Sequence, residues 1–389
     1  MRQVRFGRVG LTAIIAVLAL QWGTPSMASV VTEPLATIDG TTVATVKVGT
    51  RPGDEVLDAA ISRLFVHDAV TNDISVVDTT TNAVIDTFPA PKGTFALVLD
   101  APRGHLYAIS GSQSEGPGAV TILDLVTHEP LASVQLAGEA GTPAFDARRG
   151  LLYVPLTTAD TGVGTVATVD VIGTRVTKTA RVGKYPWAVT LDDAGKRLYV
   201  SGEKPARVLV VDTGASRVVA TIKVPVSPQF ILVDSPHSRV YAVRMGGISV
   251  IDTRSDRIVA TIKQTITVDG SAPVLDSAAR LIYAVDERAN AVAIINTRTN
   301  KVISRIPLGE EYGQSALLDK AAARLYIANF DEGVGRTVSV VDTKKRVLLG
   351  SIPVGKGPQL PLLAPSTSRL YVPNWVSGTV TVIDTTKVP

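Results

Sequence analysis

"RLYVPNWVSGTVTVIDTTKVP", residues 369–389, ends the chain as two strand-like runs around a short loop, and there the pattern stops. Its runs are short, rich in Val, Ile and Thr, and bounded by Gly, Pro, Asn and Asp, which marks strands rather than helix. Earlier copies continue into a further strand such as "RVVATIKVP" (217–225), so the last copy lacks one. Where that strand comes from decides the architecture.

Outward from Tyr371, an aromatic ring recurs in "LFV", "LYA", "LYV", "LYV", "VYA", "IYA", "LYI" and "LYV", at Phe65, Tyr107, Tyr153, Tyr199, Tyr241, Tyr283, Tyr326 and Tyr371. The intervals are 42, 46, 46, 42, 42, 43 and 45 residues. Each anchor strand is followed by one that ends in a shared side chain: Asp78, Asp124, Asp170, Asp212, Asp252, Asn296, Asp342 and Asp384. A residue provided once per repeat reads as scaffold, because Asp or Asn can accept from backbone N–H groups two residues on and shape a tight turn. A third strand ("RIVATIK", "KVISRIPLG") and a fourth ("FALVLD", "WAVTLD", "FILVD") complete the unit. Four strands in about 40–45 residues is the arithmetic of a β-propeller blade.

The expected fold is therefore all-β: a propeller of four-stranded antiparallel blades, eight by count of anchors. Seven blades would require one anchor to be discarded. The missing strand has a candidate at the other end of the chain, where "TTVATVKVG" (41–49) has no tyrosine anchor of its own and matches "RVVATIKVP". It is expected to complete the C-terminal blade and close the ring, leaving no open sheet edge between the chain ends. Residues 41–389 then form one propeller domain. Residues 29–40 are an N-terminal extension in which "LATID" (35–39) imitates the end of an outer strand.

Residues 1–28 have the form of a secretory signal peptide: Arg2, Arg5 and Arg8, the apolar run "LTAIIAVLAL", and small residues at Ser26 and Ala28. The run is too short to span a bilayer, so export and release without stable membrane insertion is expected, giving a secreted, extracytoplasmic protein. Removing the three arginines leaves 36 Lys and Arg against 35 Asp and Glu, a net charge of +1. That balance argues against nucleic acid as a partner. There is no cysteine, which excludes disulfides, thiolate metal sites and cysteine nucleophiles. The four histidines are scattered: His67 and Asp68 adjoin in one loop, while His105, His128 and His237 fall in turns at the other end of the blades. No Gly-rich phosphate loop, nucleophile elbow, HExxH or EF-hand loop is present, and no cofactor or metal is called for.

The phrase "RLYVPNWVSGTVTVIDT" resembles the YVTN repeat of YncE-like secreted bacterial β-propellers, and the resemblance covers nearly all of residues 41–389. It implies a propeller, export and a binding role; seven blades are common in that family. The signature asparagine appears only at Asn329 and Asn374. The resemblance also implies two alternatives. One is an enzyme of lactonase or lyase type with residues gathered from several blades, for which Asp54, Asp286, Asp331 and the glutamines are candidate metal-holding groups. The other is single-stranded DNA binding, suggested by some YncE-like proteins.

Functional residues should break the repeat at equivalent positions. The fifth residue before the end of each inner strand is Gly53, Phe95, Gly141, Trp187, Gln229, Ser271, Gln314 or Gln359. Where polar or bulky, these are expected at the mouth of the channel, on the face shared by the loops after the tyrosine strands, here called the top. Outside the signal segment the only tryptophans are Trp187 and Trp375, both assigned to that face either as ligand platforms or as caps over a blade seam. Lys184, Tyr185, Phe230, Arg244, Tyr312, Asn329 and Asn374 are placed near them. The leading expectation is a monomeric binding or scaffold protein that takes a small polar ligand, glycan, peptide or partner protein at this rim. Catalysis is the secondary one.

Overall fold

The computed structural model describes residues 36–111, 116–192, 194–204, 206–244, 246–263, 272–309 and 312–389. The expected signal peptide, residues 29–35 of the extension, and Ser271 lie outside the described residues. Among the described residues no helix is long and apolar enough to cross a membrane.

Strands pair antiparallel in sequence order, and the tyrosine strands form the packed centre. Tyr107, Tyr153, Tyr326 and Tyr371 are wholly buried, each in a strand whose interior is otherwise Leu, Ile, Val, Ala or Pro. Six sheets have four strands and one has eight. The large sheet is two blades fused through a single strand, Arg175–Leu191, which is the outer strand of the third blade and then the inner strand of the fourth. Six single blades and two fused ones make eight.

Both faces of each blade are apolar because each blade has a neighbour on either side. Eight clusters of buried side chains bridge consecutive blades, one per seam. One of them joins the last blade to the first, through Tyr371, Val380 and Val382 on one side and Leu64, Val66 and Val77 on the other. The propeller is a closed ring of eight blades.

The missing strand is the N-terminal one. Thr42–Lys47 pairs antiparallel with Thr379–Asp384, matching Ala44 to Val382 and Val46 to Val380. Val46 and Val48 enter the closing seam's core. The extension is ordered where it is described: Thr37 makes a parallel bridge to Ser351 on the outer strand of the seventh blade. The Ile38 N–H donates to the Ser351 carbonyl at 2.8 Å, and the Ser351 N–H donates to that of Ala36 at 3.0 Å. Ile38 joins the core between the seventh and eighth blades. The N-terminal segment thus ties two blades, where the sequence pointed to one.

The repeated acids organise turns. Asp78 Oδ1 accepts from the N–H groups of Thr80 (2.8 Å) and Thr81 (3.0 Å), and Asn296 Oδ1 does the same with Arg298 (3.0 Å) and Thr299 (2.9 Å). In four blades the other oxygen, or the same carboxylate, also meets an arginine at the start of the tyrosine strand: Arg63, Arg239, Arg324 and Arg369. Asn296 instead faces Leu281, so no charge is needed there.

Candidate functional site

The fused strand builds the most exposed aromatic group of the top face. Lys184 is the crossing point, paired with Val163 of the third blade and with Lys204 of the fourth. Past it, Tyr185 has φ of 49°, a left-handed backbone that is uncommon for a bulky residue, and the turn throws its ring outward. Gly162 makes room for that ring, since a Cβ there would overlap it. Pro186 is buried and Trp187, 57% exposed, stands beside it. The Trp187 carbonyl accepts from the Thr142 N–H at 3.0 Å, and Thr142 bridges Ala188 in parallel, so the inner strands of the two blades brace each other under the indole.

Trp187 divides two clefts. The first, about 360 Å³, is walled by Phe95, Tyr185 and Trp187, with Glu139 and Thr157 as its polar edge. The second, about 370 Å³, lies on the other side of the indole against Ser227, Gln229 and Phe230. Phe95, Tyr185, Trp187, Gln229 and Phe230 are thus brought together, and Lys184 is exposed at their margin. Tyr312 and Gln314 belong elsewhere, to a cleft of about 500 Å³ between the sixth and seventh blades with Glu287, Phe330, Asp331 and Glu332.

Trp375 does not join Trp187. It sits in the eighth blade, four blades away around a ring of eight, half-buried over the closing seam. The Arg51 guanidinium lies 5.7 Å from its ring centroid, and Gly53 packs beneath it. Trp375 acts there as a seam cap. Gln359 is half-buried near it and donates its backbone N–H to the Pro373 carbonyl at 2.8 Å. Arg244, half-buried, ends the tyrosine strand of the fifth blade.

Asn329 and Asn374 are fully buried, so neither reaches the rim expected from sequence. Each Nδ2 donates to two hydroxyls of the next strand: Asn329 to Thr337 and Ser339, both at 2.9 Å, and Asn374 to Thr379 at 3.0 Å and Thr381 at 2.9 Å. They tie strands within a blade.

The carboxylate candidates are dispersed. Asp68 is buried, which raises its pKa, but N–H donors from Thr50, Arg51, Val70 and Thr71 outweigh burial and hold it below the usual value. Burial lowers the pKa of neighbouring His67. Asp286 accepts from Arg305 at 2.7 Å. Asp54 accepts from the Leu97 N–H at 2.5 Å, yet burial dominates and pushes its pKa up to about 6. Among the described residues no three His, Asp or Glu side chains gather in a way that would hold a metal ion.

Sequence reading missed Glu139, Thr157, Pro186 and Ser227, loop and edge residues with no repeat signature. It also missed Glu55, which the repeat does reveal. Counting three back from the end of each inner strand gives Glu55, Leu97, Pro143, Val189, Ile231, Pro273, Ala316 and Pro361: one acid among seven apolar residues.

No family model and no curated protein matches the chain. Solved structures do match in shape. The computationally designed Ika8 protein aligns with a TM-score of 0.68 at 13% identity, over 89% of this chain and 100% of that one. The hydrazine synthase of Kuenenia stuttgartiensis aligns with a TM-score of 0.55 at 21% identity, over 75% of this chain and 95% of that one. At these identities the likeness supports the propeller fold alone.

Proposed function

We propose that this protein is a binding module: a rigid ring that presents the paired clefts around Trp187 to a polar ligand carrying flat ring faces, such as a glycan. The observation that carries the reading is an indole more than half exposed at a braced position, with a ring-sized cleft on each side. An exposed tryptophan costs solubility unless its face is used, and sugar rings offer C–H faces to an indole while their hydroxyls reach polar edges such as Glu139, Thr157 and Gln229. The similarity to YVTN-repeat proteins and the form of residues 1–28 support an extracytoplasmic place for this activity.

The test is a thermal-shift screen of soluble oligosaccharides and aromatic metabolites, followed by calorimetry on each hit with Trp187→Ala. Loss of an anchor of this kind should weaken binding at least tenfold, about 1.4 kcal/mol or more, with the melting temperature of the free protein little changed. Hits that bind Trp187→Ala as tightly as the parent would place the site elsewhere on the ring.

A further inference from the structure

Glu55 lies on the inner strand of the first blade, Pro52–Asp58, in the seam that the two chain ends close. It pairs across the sheet with Val66, and Val66 and Leu57 belong to the cluster shared with the eighth blade, so its side chain points into that seam. Both carboxylate oxygens are sealed from solvent and have no hydrogen-bond partner among the described residues. The same place in the other seven blades holds Leu, Val, Ile, Ala or Pro. A buried acid where the scaffold asks for an apolar residue is costly when ionised and tolerable when neutral.

Among the described residues, no cation on the surrounding elements relieves it. Its own strand brings Asp54 and Asp58, both acids, and Arg51, just before the strand, lies over the Trp375 ring. The tyrosine strand of the first blade brings Arg63, bound to Asp78, together with His67 and the N–H-bound Asp68. The inner strand of the second blade brings Asp100, which holds Arg103 and Tyr107. The eighth blade brings no charge on its inner strand Leu362–Ala364, and on its tyrosine strand only Arg369, bound to Asp384, and the Tyr371 phenol.

We propose that Glu55 is a proton-binding group that ties closure of the ring to pH: protonated, it packs as a neutral side chain in the closing seam, and ionised, it loosens the contact between the first and eighth blades. Burial first, and then the charge of Asp54, hold its pKa well above the usual carboxylate value, in keeping with the geometry. The sign follows. Below the ordinary carboxylate pKa both folded and unfolded chains are protonated and the group costs nothing; as pH rises the unfolded chain releases the proton first, and folded stability falls until the raised native pKa is passed.

Amide hydrogen exchange of the full chain between pH 5 and pH 8, corrected for intrinsic rates, tests this with Glu55→Gln, Glu55→Leu and Asp54→Asn. At pH 8 the parent should exchange at least tenfold faster than Glu55→Gln in peptides covering 41–49, 52–58 and 369–384, and the gap should narrow progressively as pH falls to 5. Glu55→Leu, which restores the apolar residue of the other blades, should match Glu55→Gln and guards against misfolding of either variant. Equal exchange of parent and Glu55→Gln at pH 8 would overturn the proposal. So would a pH effect removed by Asp54→Asn alone, or one spread evenly over all blades.

Discussion

A single buried amide shows how this ring separates scaffold from surface. Asn374 has no exposure, and its Nδ2 holds Thr379 and Thr381 of the neighbouring strand. Removing it leaves two hydroxyls with one partner fewer, and Thr381 at 1% exposure is out of reach of water. Asn374→Ala is therefore expected to destabilise by about 2–3 kcal/mol, read as a lower denaturation midpoint with an unchanged slope. Ligand affinity at Trp187 should not move. Sequence put Asn374 near the rim because it ends a strand beside Trp375, and position along a strand is legible while the direction of one side chain at its end is not. Trp187 and Tyr185 were legible for the opposite reason. They break a repeat whose other members are mostly small or polar, Phe95 and Tyr312 being the exceptions, and a bulky break at a loop reaches solvent whichever way the backbone turns.

At the scale of elements, the four-strand unit could be read directly, because the tyrosine and the turn-forming Asp or Asn recur with the period of a blade. Two departures could not. "RVTKTARVGKYPWAVTL" contains a glycine and a proline and reads as two strands with a loop between, yet it runs unbroken from the third blade into the fourth. The pairing of Lys184 with both blades carries it across. The second departure is the strap at 36–38, whose docking depends on Gly350. That residue has φ of 152°, and a Cβ on it would collide with the Ala36 carbonyl. Gly350→Val should eject the strap and expose Ile38, costing roughly 1–3 kcal/mol, with faster amide exchange at residue 38 and at Ser351 as the local signature. Stability and exchange both unchanged would mean that the strap contributes nothing to the seventh blade.

For the whole molecule, the consequence of closure is that stability is shared. Each blade's core is completed by its neighbour, and the seam between first and last blades has the same build as the others, with Val46 and Val48 from the N-terminal strand added. A rigid ring is what keeps Phe95, Trp187 and Phe230, carried by three different blades, in one arrangement around two clefts. The count of eight and the N-terminal clasp were both legible, since eight anchors and one orphan strand leave little other arithmetic. The acid placed in the clasped seam was visible only once the repeat had been aligned.

Because the chain contains no cysteine, closure can be tested cleanly. Ala44 and Val382 are cross-strand partners in the clasp, and antiparallel partners sit about 4.5–5.5 Å apart at Cα, within the range a disulfide spans. Dilute Ala44→Cys, Val382→Cys protein, oxidised mildly, should lose both free thiols, stay monomeric, and melt at a higher temperature than its reduced form. Two thiols that remain free, or that pair only between molecules, would contradict a ring closed by its own ends.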